Sequence, residues 1–155
     1  MGYDLQAVIG GEMLRTASRE LPAARLASIG QGLSLMPMTD AFLDSLAKGG
    51  EDGALGFWQL RAGFAETLAT WSAAGPLAYV EAEYFGGAGE QTAVVWDGGA
   101  VVLGPLHEPE GQASPPEGSP ISRALRRLGA VAAPGQDEFT AVGLDRHRSN
   151  ERWIA

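Results

Sequence analysis

The sequence predicts a single α+β domain spanning residues 1–155, with an antiparallel or mixed sheet and about four helices packed on it. Three observations lead there. The stretch from Leu77 to Leu106 reads as three consecutive strands separated by turn residues, a meander in the C-terminal half. Four other stretches, near 12–21, 40–48, 62–74 and 120–128, repeat apolar residues at helical spacing. Strands and helices alternate too irregularly for a doubly wound sheet, and neither an internal repeat nor a break in composition divides the chain.

The first strand is expected from Tyr3 to Ile9, where Asp4, Leu5, Gln6 and Ala7 alternate polar and apolar before Gly10 and Gly11 end the pattern. Met13, Leu14, Ala17 and Leu21 then recur as one face of a helix, which Pro22 stops. Arg25 to Ile29 and Leu33 to Met36 are short apolar runs around Gly30-Gln31-Gly32, expected to be two strands and a turn. Thr39 is an N-cap for a helix carrying Phe42, Leu43 and Leu46, with Gly49 and Gly50 beyond its last turn. Residues Gly49 to Gly56 hold few large side chains and read as a mobile surface loop. Phe64, Leu68 and Trp71 mark a third helix that closes near Gly75 and Pro76.

Leu77 to Phe85 reads as a strand, Gly86-Gly87-Ala88-Gly89 as a turn, and Gln91 to Trp96 as the returning strand. Asp97-Gly98 is a strong hairpin signal, because a type I′ turn needs positive φ at both central positions, and Ala100 to Leu106 follows as partner. His107 to Gly118 is rich in Pro, Glu, Gly and Ser and predicts a flexible loop. Ser119 caps the fourth helix, Pro120 sits at its first position, and Ile121, Leu125 and Leu128 form its buried stripe before Gly129. Asp137 to Leu144 fits a short helix or strand, and Asp145 to Ala155 an extended tail anchored by Trp153.

Composition narrows the chemistry. The chain has no cysteine, which excludes disulfides, thiolate nucleophiles and cysteine-ligated metal centres. Hydrophobic residues make up 45% and charged residues 19%, a balance suited to a folded core. A net charge of −8 argues against a nucleic-acid backbone or an anionic membrane as partner, and leaves basic proteins or small molecules. The N-terminus lacks a basic stretch followed by an apolar run, so a cytoplasmic location is expected. Charge is uneven: residues 1–120 hold 15 acidic and 5 basic side chains, whereas residues 121–155 hold 6 arginines and 4 acids. Arg123, Arg126 and Arg127 on the fourth helix are expected to dock on the acidic body, or else to form a ridge for phosphate.

Period-2 alternation places Tyr79, Glu81 and Glu83 on one face of their strand, with Ala78, Val80, Ala82 and Tyr84 on the other. Two carboxylates roughly 6–7 Å apart suit either the solvent side of an antiparallel sheet or an acid/base or metal-binding pair. The adjoining Tyr84-Phe85-Gly86-Gly87-Ala88-Gly89-Glu90-Gln91 brings aromatics beside a glycine turn that would leave backbone open to a docking partner. Its glycines do not make a phosphate loop, which must open into a helix rather than a strand. Gly10 and Gly11 are too short a pattern for a dinucleotide site. His107 and His147 stand at no metal-ligand spacing, and Ser72, Ser119 and Ser122 lie in no nucleophile elbow, so no metal, cofactor or catalytic residue is assigned. Trp58, Trp71 and Trp96 are expected in the core.

The segment Tyr79-Val80-Glu81-Ala82-Glu83-Tyr84-Phe85-Gly86-Gly87-Ala88-Gly89-Glu90-Gln91, then Val95-Trp96, Asp137-Glu138-Phe139 and Gly143-Leu144-Asp145-Arg146-His147-Arg148, resembles a family of small uncharacterised bacterial α+β proteins, some of which look like immunity proteins of polymorphic toxin systems. The resemblance runs along most of the chain and implies no reaction. The expected function is therefore non-enzymatic protein binding, an immunity protein that occludes the active site of a cognate toxin with a basic surface. The expected binding residues are Tyr79, Glu81, Glu83, Tyr84, Phe85, Gly86, Gly87, Glu90 and Gln91, with Asp145, His147 and Arg148 as secondary candidates. The alternatives are a small hydrolase using Glu81 and Glu83, and a regulatory or structural interaction protein.

Overall fold

The computed structural model describes residues 2–46, 57, 60, 62–85, 88–112 and 115–155. Among these residues six antiparallel strands form one sheet: β1 (Gly2–Gly10), β2 (Ala27–Ser28), β3 (Ser34–Pro37), β4 (Leu77–Phe85), β5 (Ala88–Asp97) and β6 (Ala100–Glu108). Their order is β2-β3-β1-β4-β5-β6, so the C-terminal meander β4-β5-β6 adds directly to β1. The helices are α1 (Glu12–Ala17), α2 (Asp40–Leu46), α3 (Ala62–Trp71), α4 (Pro120–Arg127) and α5 (Glu138–Ala141). The fold is α+β, as the sequence predicts, and its sheet is purely antiparallel.

Both sheet faces are covered, and period-2 alternation decides which residues each receives. Leu5, Ala7 and Ile9 of β1, Ala78, Val80 and Ala82 of β4, and Ala93 and Val95 of β5 pack with Ile121 and Leu125 of α4 and with Val142, Leu144 and Trp153. On the reverse face Val8, Met36, Tyr79, Val94 and Trp96 pack with Leu14 of α1, Phe42 of α2 and Phe64, Leu68 and Trp71 of α3. Small residues on β4 and β5 let α4 approach the sheet. The larger aromatics of α2 and α3 meet edge-on, with Phe42–Phe64 centroids 5.4 Å apart and Phe64–Trp71 6.3 Å. Trp71 and Trp96 are buried. Trp58, Gly49, Gly50 and the loop expected over 49–56 lie outside the described residues.

Local signals place the helix starts. Thr39 Oγ1 accepts the amide of Phe42 at 3.2 Å, and Ser119 Oγ that of Ser122 at 3.3 Å with Pro120 in the first turn. Asp137 resolves the ambiguity of its segment in favour of a helix, because its carboxylate accepts the Thr140 amide at 2.8 Å. Arg126 pairs within its own C-terminal stretch rather than with a carboxylate of the acidic body: its Nε donates to the buried Glu138 at 3.1 Å, and its Nη2 donates to the backbone carbonyl of Glu117 at 2.8 Å.

Some boundaries differ from the sequence expectation. The hairpin turn is centred on Gly98 and Gly99, with φ of +63° and +88°, while Asp97 pairs with Ala100. Two adjacent glycines meet the positive-φ requirement at less strain than Asp-Gly, and the turn moves by one residue. Ala88 and Gly89 belong to β5 rather than to a turn. A Cβ at Gly89 would collide with the Glu83 carbonyl and stand 2.6 Å from Tyr84 Cα, so the absence of a side chain lets the two backbones close. β6 runs to Glu108, two residues into the segment whose composition predicts a loop. The C-terminal tail forms short 3-10 turns at Leu144–Arg146 and Asn150–Trp153 rather than an extended run, and Trp153 is buried as expected.

Candidate functional site

Along β4, one face changes from core to solvent within four residues. Leu77 and Tyr79 are buried beneath the aromatics, Glu81 is half-buried, and Glu83 and Phe85 are exposed. At the Tyr79 end the Phe57 ring meets the phenol ring edge-on, with centroids 5.0 Å apart. Beyond it, strand register assembles polar side chains from neighbouring strands: Gln6 pairs with Glu81, which pairs with Thr92, which pairs with His107. The next row is Asp4, Glu83 and Glu90. Residues directly opposite in an antiparallel ladder project to the same side, so three carboxylates stand in line with Glu81 one row inward.

Each carboxylate has a distinct setting. Glu81 accepts a hydrogen bond from Tyr79 Oη at 2.8 Å, and burial, then the Glu81 charge, push the Tyr79 phenol well above its ordinary value. Asp4 accepts from Gln6 Nε2 at 2.6 Å at one end of the row, and Glu90 lies 3.2 Å from His107 Nε2 at the other. Glu83 stands between them, exposed, with no ion pair among the described residues. Gln6 is buried and ties the face to the C-terminal segment: its amide donates to Asn150 Oδ1 at 2.9 Å and its Oε1 accepts from Asn150 Nδ2 at 2.8 Å.

The hollow between these residues, lined by Gln6, Glu81, Ala82, Glu83, Glu90 and Thr92, measures about 90 Å³. Cavities that enclose small ligands run to roughly 300–1,000 Å³, so this is a shallow surface dimple. Among the described residues no group of three or more His, Asp or Glu side chains is arranged to hold a metal ion. Phe85, 77% exposed, adds an apolar group at the rim.

The sequence-derived binding residues thus divide between two faces. Tyr79, Glu81, Glu83, Phe85 and Glu90 share the side just described, with Tyr79 as its buried floor. Tyr84 and Gln91 lie on the opposite side. Gln91 is buried there, its Oε1 accepting the Ile121 amide at 3.0 Å near the start of α4. Burial foremost raises the Tyr84 phenol. Gly86 and Gly87 lie outside the described residues. Asp145, His147 and Arg148 belong to the C-terminal segment, where Arg148 O accepts the Asp4 amide at 2.8 Å. Asp4, Gln6, Thr92 and His107 join this face without being among the sequence-derived binding residues, although the polar–apolar alternation of Asp4 and Gln6 within β1 is a signal for two of them.

No family model, curated protein or solved structure matches the chain. No helix among the described residues is long and apolar enough to cross a membrane.

Proposed function

We propose that this chain is a non-enzymatic protein-binding module that presents Asp4, Glu81, Glu83 and Glu90 to a basic surface of a protein partner, and that the partner is a bacterial toxin whose active site the module occludes. The observation that carries this reading is the in-register row Asp4–Glu83–Glu90. Like charges directly opposite on a sheet destabilise it, so a fold that keeps three in line spends stability on a surface that a cationic partner would relieve. The dimple of about 90 Å³ supports binding of a protein surface over enclosure of a small substrate. The overall charge of −8 would accelerate encounter with such a partner.

The test is titration against the protein encoded beside this chain's gene, at two salt concentrations, with an Asp4→Asn, Glu83→Gln, Glu90→Gln variant. The variant should fold, bind more weakly and show a shallower salt dependence. A folded variant with undiminished affinity would sink the proposal. Turnover of a substrate abolished by Glu81→Gln or Glu83→Gln alone would favour the hydrolase reading instead.

A further inference from the structure

The C-terminal segment builds a second site of opposite charge. A cavity of about 610 Å³ is lined by Gly2, Arg146, His147, Arg148, Ser149 and Arg152. Three of the chain's ten arginines and one of its two histidines therefore ring one hollow of a protein whose net charge is −8. Among the described residues no carboxylate lines it. Of the acids nearest in sequence, Glu151 is turned to the Asp40 amide, which it accepts at 2.9 Å.

The Arg146 side chain is held in place. Arg146 donates through Nη2 to Ser28 O at 2.8 Å and through Nε to Gly143 O at 3.2 Å, and its guanidinium lies 5.5 Å over the indole of Trp153. The His147 ring meets the same indole edge-on at 4.7 Å. On the other side the backbone is clamped to β1, with Arg148 O accepting from Asp4 N and Asn150 bonded to both Gln6 and Met38. Arg148 and Arg152 make no side-chain hydrogen bond or ion pair to any described residue. Placing cationic groups together raises the energy of the empty protein, and a bound anion removes that repulsion.

The geometry points to a binding site for a phosphate-bearing small molecule in this cavity. Guanidinium groups recognise phosphate through paired, charge-assisted hydrogen bonds, and a doubly charged anion benefits most from several of them. The volume falls within the range of pockets that hold small ligands, roughly 300–1,000 Å³. A long polyanion would also meet the net negative field of the rest of the molecule, whereas a small one feels chiefly the local charge. None of the carboxylates of the acidic face is among the cavity's lining residues.

The experiment titrates the full chain at low ionic strength with inorganic phosphate, a nucleoside monophosphate and a sugar phosphate, followed by calorimetry and by the Trp153 indole resonance in NMR spectra. Saturable binding that shifts this resonance is expected. It should weaken roughly tenfold or more in an Arg148→Gln, Arg152→Gln variant, a loss of about 1.4 kcal/mol per tenfold, and persist in an Arg123→Gln, Arg127→Gln control on α4. Preference for the nucleotide or the sugar phosphate would identify the source of the phosphate group. No saturation by any of the three at millimolar concentration, or equal weakening in both variants, would overturn the site.

Discussion

Asp4 and Glu83 are cross-strand partners on β1 and β4, two carboxylates on one exposed side of the sheet, and Glu90 extends the row on β5. Repulsion in such a ladder is greatest for its middle member. Glu83→Gln should therefore raise the melting temperature at low salt, by an amount equivalent to roughly 0.2–1 kcal/mol, and the gain should shrink as salt screens the row. Thermal melts at two ionic strengths measure it, and a fall in stability would show that Glu83 is held by an interaction other than this ladder.

Gln91 and Glu90 are sequence neighbours with different fates. Gln91 points into the α4 side, where it satisfies the buried Ile121 amide. Gln91→Ala should cost about 1–3 kcal/mol by leaving that donor without a partner. Denaturant unfolding would register the loss, while affinity for a basic partner should be unchanged in the folded fraction. Glu90→Gln should do the reverse.

The phenols of all three tyrosines, Tyr3, Tyr79 and Tyr84, are raised above the ordinary value of 10.0, burial being the largest cause for each. A raised folded value means that the native chain retains protons the unfolded chain would lose. The associated stability is complete below pH 10 and falls as pH rises beyond it. Ultraviolet titration should show little tyrosinate near pH 10 and a steep rise on alkaline unfolding. Tyr79→Phe should soften this alkaline loss, and ordinary titration of all three phenols in the folded protein would contradict the burial described above.

Gly89 should tolerate no side chain, because a Cβ there meets the backbone of Glu83 and Tyr84. Gly89→Ala is expected to destabilise the β4–β5 pairing by about 1–3 kcal/mol or more. Gly11→Ala is the comparison: beyond its chain neighbours no described atom lies within 4 Å of its added Cβ and its φ is −80°, so it should cost only the preference of an N-cap for Gly over Ala, less than Gly89→Ala. Thermal melts of the two variants make the comparison.

The α+β class, the strands at 77–106 and the caps at Thr39 and Ser119 are legible in the sequence because their causes are local: side-chain periodicity, a hydroxyl three residues before an orphan amide, a proline in the first turn. The alternation within β4 also assigns Tyr79, Glu81 and Glu83 to one face before any partner strand is known. Where each face lies relative to its covering helices is a different matter. The same alternation holds for a covered residue and one in solvent: Tyr79, against the Phe57 ring, is buried and Glu83 is exposed. Register between strands distant in sequence is set by core packing on both faces, and it alone lines Asp4 up with Glu83 and Glu90. The C-terminal segment follows from the same accounting. β3 pairs with β1 only as far as Ala7, so the amides of Asp4 and Gln6 require other acceptors. Arg148 O and the Asn150 side chain supply them, and in doing so bring Arg146, Arg148 and Arg152 around one cavity. Composition determined how many charges the chain carries; backbone amides seeking partners at the edge of β1 determined where these arginines gather.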